Sequence, residues 1–224
     1  MFSRRRFIAT ASATASVTAL AAPAIASDTK MRVFDLPDHL QPRRVKLRAE
    51  LQPGQIHVDP TTFSLYLTRP NREAFRWTVG IGKPGLYEPG TYYVGRKARW
   101  PSWKPTPAMI KRDPAAYEKY ADGMPGGVNN PLGARAIYLY DQRRGDTMLR
   151  IHGTNKPGTL GRAVSNGCAR IVNQQIIPFY DMVPTGTVVY LHKKPAEGSV
   201  PFLQEADPKK DPMGDFFRRL RGTA

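Results

Sequence analysis

From residue 55 onward, apolar and polar residues alternate with period two, in runs too short for helices and bounded by Gly, Pro, Asn or Asp. Gln55-Ile56-His57-Val58-Asp59 and Phe63-Ser64-Leu65-Tyr66-Leu67-Thr68 flank the turn Asp59-Pro60-Thr61-Thr62, a spacing that predicts a β-hairpin. The same alternation recurs at 75–82, 91–94, 135–140, 147–152 and 187–191. A chain with 21 Pro and 19 Gly in 224 residues cannot be mainly helical, because both residues interrupt helices. The expectation is a mainly-β domain with turns. Its 41% hydrophobic and 23% charged residues are too apolar for a disordered chain and too polar for a polytopic membrane protein.

Two stretches depart from the strand pattern. Between 96 and 134, Trp100-Pro101-Ser102-Trp103-Lys104-Pro105-Thr106-Pro107 is too rich in proline for a regular element. Asp113-Pro114 then offers an N-cap followed by proline at the first helical position, so a short helix is expected up to residue 120. Residues 123–133 are turn material. An irregular stretch this long suits a lid or groove wall. Residues 174–183 read as a helix with Asn173 as N-cap and Ile176, Ile177, Phe179, Tyr180 and Val183 on its apolar face, although Pro178 argues against regularity.

The ends are different in character. Ser3-Arg4-Arg5-Arg6-Phe7-Ile8 begins a segment that carries no charge from 7 to 27 and ends in Ala24-Ile25-Ala26. This is the pattern of a secretory signal cleaved after Ala26, and its Ser-Arg-Arg-x-Phe start resembles the twin-arginine export motif. An ordinary Sec signal and an uncleaved anchor are the other readings. Residues 27–51 are expected to form an extended arm, 52–193 the folded domain, and 194–224 a polar tail with a short amphipathic helix around 215–220. The net charge of +16 less the three leader arginines leaves +13. That suits an anionic partner or simple solubility. No run of Lys and Arg interleaved with aromatics points to nucleic acid.

Few residues could carry chemistry. The only cysteine, Cys168, excludes an intramolecular disulfide, and no cluster of ligands suggests a metal site. Cys168 lies in Val164-Ser165-Asn166-Gly167-Cys168-Ala169-Arg170, which reads as a turn and not as the apolar strand a buried structural cysteine would favour. His152 ends a predicted strand, just before Gly153-Thr154-Asn155. A Gly/Pro/Asn-rich loop joins it to Cys168 and could fold the two together. An imidazole beside a thiol can take its proton and hold a thiolate–imidazolium pair, the arrangement of cysteine acyl-transfer enzymes. A redox or sorting thiol and a non-catalytic binding module remain as other readings. His57 and His192 fall in predicted strands and His39 in the arm, where structural or surface roles are expected.

Ile151-His152-Gly153-Thr154-Asn155, Ser165-Asn166-Gly167-Cys168-Ala169-Arg170 and Val183-Pro184-Thr185-Gly186-Thr187 together resemble the L,D-transpeptidase catalytic domain, the YkuD or ErfK-YbiS-YcfS-YnhG family. Val79-Gly80-Ile81-Gly82, Pro89-Gly90-Thr91-Tyr92 and Asn130-Pro131-Leu132-Gly133-Ala134-Arg135 add to the likeness, which covers roughly 52–193. The resemblance implies a β-sandwich-like fold with one or two short helices and a long groove loop. It implies Cys168 as nucleophile, His152 as its base and the Gly153 carbonyl as the group that orients the imidazole. Ser165, Gly167 and the Cys168 amide would surround the oxyanion, and Arg170 would face a substrate carboxylate. Trp103, with Trp100, would either wall the groove or pack the long loop. The family often has His where Asn166 stands here. Asn can bind an oxyanion but cannot carry a proton.

The implied activity is an acyl transfer with no cofactor. Stem tetrapeptides of peptidoglycan would be attacked between the third residue and D-Ala, held as a thioester on Cys168 and joined in 3–3 cross-links. Water, a lipoprotein lysine or another amine are alternative acceptors. Carbapenems would acylate the thiol. The protein is expected to be an exported, periplasmic monomer without a stable membrane span.

Overall fold

The computed structural model describes residues 31–196, 198 and 200–207. The expected leader (1–26) and the helix around 215–220 lie outside the described residues. The elements run β1 (Arg43–Leu47), β2 (Ile56–Asp59), β3 (Ser64–Thr68), β4 (Glu73–Thr78), β5 (Ile81–Gly82), β6 (Gly90–Arg99), α1 (Pro107–Arg112) and α2 (Pro114–Tyr117). They continue with β7 (Arg135–Asp141), β8 (Gly145–Thr154), β9 (Ala163–Ser165), β10 (Ala169–Val172), α3 (Asn173–Met182), β11 (Val188–Leu191) and β12 (Glu205–Asp207). The fold is mainly β, with few and short helices.

Among the described residues, ten strands form one sheet in the order β10-β8-β7-β6-β11-β2-β3-β4-β1-β12, and β5 pairs with β9. The β2–β3 hairpin forms as its alternation predicts, and Asp59 fixes the turn. Its carboxylate accepts from the Thr61 amide (2.8 Å) and the Thr62 hydroxyl (3.0 Å). The run 75–82, expected as one strand, is two. The chain bends at Gly80, which pairs its backbone both ways with Arg170 (3.0 and 2.7 Å) at the opposite edge of the sheet. A Cβ at Gly80 would strike the Thr159 carbonyl. The sheet thus curls until its β4 side meets β10. The expected sandwich is one sheet folded over a shared core, in which Trp77 of β4 and Phe179 of α3 meet edge to face at 4.9 Å. Each is fully buried, contributing about 1.5–3 kcal/mol by apolar transfer.

Three expectations need correction. The arm is not a free linker, because β1 lies between β4 and β12. Val45 and Leu47 pack with Tyr66, Ala74, Val200 and Leu203 in a second apolar cluster, which also ties down the start of the polar tail. The basic residues alternating with Val45 and Leu47 mask a period-two signal in composition. Asn173 is the first residue of α3 and not its cap. Its buried side chain accepts from the Ala134 amide (2.9 Å) and fastens the helix to the entry of β7. The proline-rich run also contains α1, begun by Thr106, whose hydroxyl accepts from the Met109 amide (3.2 Å), with Pro107 at the first position.

His57 and His192 lie on the β2–β11 pair, away from the groove described below. Their ring nitrogens are 3.0 Å apart, Tyr190 stacks on His57 at 4.8 Å, and Phe202 meets both rings edge on. Burial, followed by the neighbouring His192, lowers the His57 pKa from 6.5 to about 4. The folded state therefore resists a proton that the unfolded chain accepts below 6.5. Stability present above that pH is lost as pH falls toward 4. The unfolding free energy measured in urea should fall from about pH 7 to about pH 4.5, with His57 contributing on the order of 1 kcal/mol per pH unit. His57→Phe should flatten that slope, and an unchanged slope would refute the assignment.

Candidate active site

Parallel pairing of β8 and β10 builds the site. Ala169 lies opposite Ile151, and Arg170 opposite His152. Ile151, Ala169 and Ile171 point into the core. Strand alternation therefore turns Arg150, His152, Cys168 and Arg170 to the other face. There they line an open groove of about 1410 Å³ with Ser165, Asn166 and Trp103. Its far wall is the segment 101–131, which carries α1 and α2. Trp103 anchors that wall by exchanging two backbone hydrogen bonds with Met124 (3.0 and 2.7 Å), and its ring meets Tyr117 and Tyr120 at 6.3 and 5.7 Å.

His152 is buried, and its Nδ1 donates to the Gly153 carbonyl at 2.8 Å. A carbonyl can only accept, so the proton sits on Nδ1 and Nε2 keeps a lone pair. Burial, then the Arg170 charge, lowers its pKa to about 3, against opposing help from the Gly153 and Leu132 backbones. Cys168 is half-buried. Burial raises its thiol pKa, while an Arg150 backbone hydrogen bond and the charges of Arg150 and Arg170 pull it back. Both shifts favour the uncharged forms, thiol and neutral imidazole, because the low-dielectric wall penalises both charged forms.

The turn before Cys168 is held from within. The Ser165 hydroxyl donates to the Cys168 carbonyl (2.7 Å) and accepts from the Gly167 amide (3.2 Å). Gly167 has φ +117°, and a Cβ there would press on the Leu86 carbonyl oxygen and on Leu149. Ser165 and the Gly167 amide are therefore engaged with the turn and not aimed at an oxyanion. Asn166 donates to the Tyr117 hydroxyl at 2.8 Å, bridging the turn to α2 across the groove. Sequence reasoning did not single out Tyr117 for the site. The Asp113-Pro114 cap placed its helix but not the wall that helix would face. Arg150 was missed too. It grips Asp146 with two nitrogens (2.6 and 3.0 Å) and stacks on Tyr138, whose ring also carries Arg96. Among the described residues, seven Lys and Arg and only two acids line the groove, so it favours anions. No three His, Cys, Asp or Glu side chains among them converge as metal ligands.

The model of the L,D-transpeptidase catalytic domain (YkuD) matches residues 53–191. Probable L,D-transpeptidase ErfK/SrfK of Escherichia coli (strain K12) is 32% identical over 145 residues, 63% of this chain and 45% of that protein. Probable L,D-transpeptidase YbiS of the same organism is 35% identical over 123 residues, 54% of this chain and 38% of that protein. The chain thus spans less than half the length of these relatives. A crystal structure described as a probable carnitine operon oxidoreductase CaiA from Brucella melitensis is 44% identical, with 66% of this chain and 90% of that one covered and a TM-score of 0.46.

Alkylation of Cys168 by iodoacetamide tests the neutral pair. The rate should keep rising past pH 9, the ordinary thiol value. A plateau near neutral pH would instead mean an ion pair already formed.

Proposed function

The chain belongs to the L,D-transpeptidase (YkuD) catalytic-domain family, and we propose that it transfers peptidoglycan stem peptides through a thioester on Cys168. The observation that carries this is the shared groove wall. The lone thiol and an imidazole whose free nitrogen is Nε2 project from adjacent strands into one cationic groove. In the proposed reaction Nε2 takes the thiol proton as sulfur attacks the carbonyl before the terminal D-Ala. The charge that develops on oxygen meets backbone donors, with the Cys168 amide foremost. The Nε2 proton then passes to the leaving amine, D-Ala departs, and the thioester remains. An acceptor amine on a second stem peptide attacks it and releases the thiol, forming a 3–3 cross-link. Water in its place gives an L,D-carboxypeptidase, and a lipoprotein lysine gives an anchoring reaction.

Because the resting pair is neutral, the proton moves during attack, and His152 acts as a general base and not as a standing counter-ion. Gly153 serves that role through its carbonyl, which holds the ring in the productive tautomer. The anion-favouring groove suits a substrate bearing several carboxylates. The leader at 1–26 exports the protein to the envelope, where such substrates occur. Among the described residues no helix is long and apolar enough to cross a membrane.

Cys168→Ser and His152→Ala should each lower 3–3 cross-link formation by about 10³-fold or more, and the double variant by little beyond that, since the two act as one unit. Muropeptide analysis reads the products, and intact-mass spectrometry after carbapenem exposure should place the adduct on Cys168. Unchanged cross-links together with unchanged wall binding in Cys168→Ser would point to a non-catalytic wall-binding module.

A further inference from the structure

Strand β8 is irregular beside the nucleophile. Asp146 pairs with Tyr140 of β7 and Arg150 with Tyr138, so Thr147, Met148 and Leu149 all stand opposite Leu139. A bulge of this kind re-aims the groups at its centre. Met148 has φ +63° there, a left-handed backbone that is unfavourable for a residue bearing a Cβ. Its neighbours hold it so. The Asp146 carboxylate accepts from the Met148 amide at 2.9 Å, and Arg150 clasps the same carboxylate with two nitrogens. The Thr147 hydroxyl donates to the Leu139 carbonyl (2.6 Å) and accepts from the Leu149 amide (3.2 Å). The Met148 carbonyl is thereby turned toward the Cys168 sulfur, 4.0 Å away. A carbonyl can only accept, so in this contact the thiol hydrogen points at it.

We propose that this bulge is a thiol holder, with Asp146 as its positioning residue: Asp146 keeps Met148 left-handed, and the Met148 carbonyl accepts the Cys168 hydrogen until a substrate binds. This rests on the acyl-transfer reading above and deepens it. The holder does two things. It fixes where the sulfur sits, because a thiol free to swing about its Cα–Cβ bond would seldom meet the carbonyl under attack. It also stabilises the protonated sulfur, because a thiolate has no hydrogen to donate and the carbonyl oxygen repels it. For transfer, the hydrogen leaves the Met148 carbonyl for His152 Nε2 as sulfur bonds to the substrate carbon. Loosening the bulge therefore makes the thiol more acidic and the transfer slower.

The test follows iodoacetamide alkylation of Cys168 against pH, on variants shown to be folded by near-ultraviolet circular dichroism. Met148→Val, whose branched Cβ opposes a left-handed backbone, should move the curve down by about half a pH unit, a roughly threefold faster reaction at pH 7.5. Its kcat for cross-link formation should fall about tenfold with KM little changed. Met148→Gly loses the same side chain but takes the left-handed backbone freely, and should restore the alkylation curve. Should Met148→Val not fold, Asp146 supplies a second pair. Asp146→Ala should shift the curve, while Asp146→Asn, which removes the same charge but still accepts the Met148 amide, should shift it much less. Arg150 and His152 of β8, Arg170 of β10 and Tyr117 of the far wall face the groove with the thiol, and every variant keeps them. A curve left in place by Met148→Val, moved equally by Met148→Gly, or moved as far by Asp146→Asn as by Asp146→Ala would overturn the holder. The expected shifts in a protein whose wild type forms neither cross-links nor a carbapenem adduct would support the holder and sink the acyl-transfer reading.

Discussion

The parallel contact between β8 and β10 is the interaction on which the site depends. These strands are separated in sequence by a loop containing β9, and only their pairing puts Arg170 opposite His152. The same register sends Ile151, Ala169 and Ile171 inward, so core packing and site construction are two faces of one ladder. A slip of one residue would bury the polar set and expose the apolar one. The backbone exchange between Gly80 and Arg170 pins β10 from its other side and closes the curled sheet. Arg170 thus has a backbone fixed by two neighbours and a side chain left free for the groove.

The groove has a rigid wall and a stapled one. The rigid wall is sheet. The other is built of two very short helices, each begun by a capping side chain and a proline, and closed by the Trp103–Met124 pair. Helices of four to six residues have little stability of their own. Their position relies on Trp103 against Tyr117 and Tyr120 and on the Asn166–Tyr117 hydrogen bond. Asn166, where the family resemblance led one to expect His, is therefore a link between the walls. That link accounts for an amide here without asking it to move a proton.

Burial shapes the chemistry as much as proximity does. The wall that buries His152 and half-buries Cys168 also opposes charging either one, while Arg150 and Arg170 favour the thiolate and disfavour the imidazolium. Under the proposed reaction, a cationic groove that receives an anionic substrate would find part of that positive field neutralised, which makes proton uptake by His152 easier once the ligand is bound.

Sequence alone determined what depends on local chemistry. Period-two runs located β2, β3, β7, β8 and β11 to within a residue or two, except that β8 runs further at each end, and Asp113-Pro114 located the start of α2. The scarcity of reactive side chains singled out Cys168 and His152 as candidates. Tertiary structure decided the rest. It broke the 75–82 run at Gly80, drew the basic arm into the sheet, turned Asn173 from a cap into a cross-link and engaged Ser165 with its own turn. It also brought Tyr117 to Asn166 across 49 positions of chain. Such contacts leave no periodic trace, because they join residues whose neighbours in sequence take no part in them. Pairing register and side-chain reach are properties of the assembled sheet, and only the folded chain sets them.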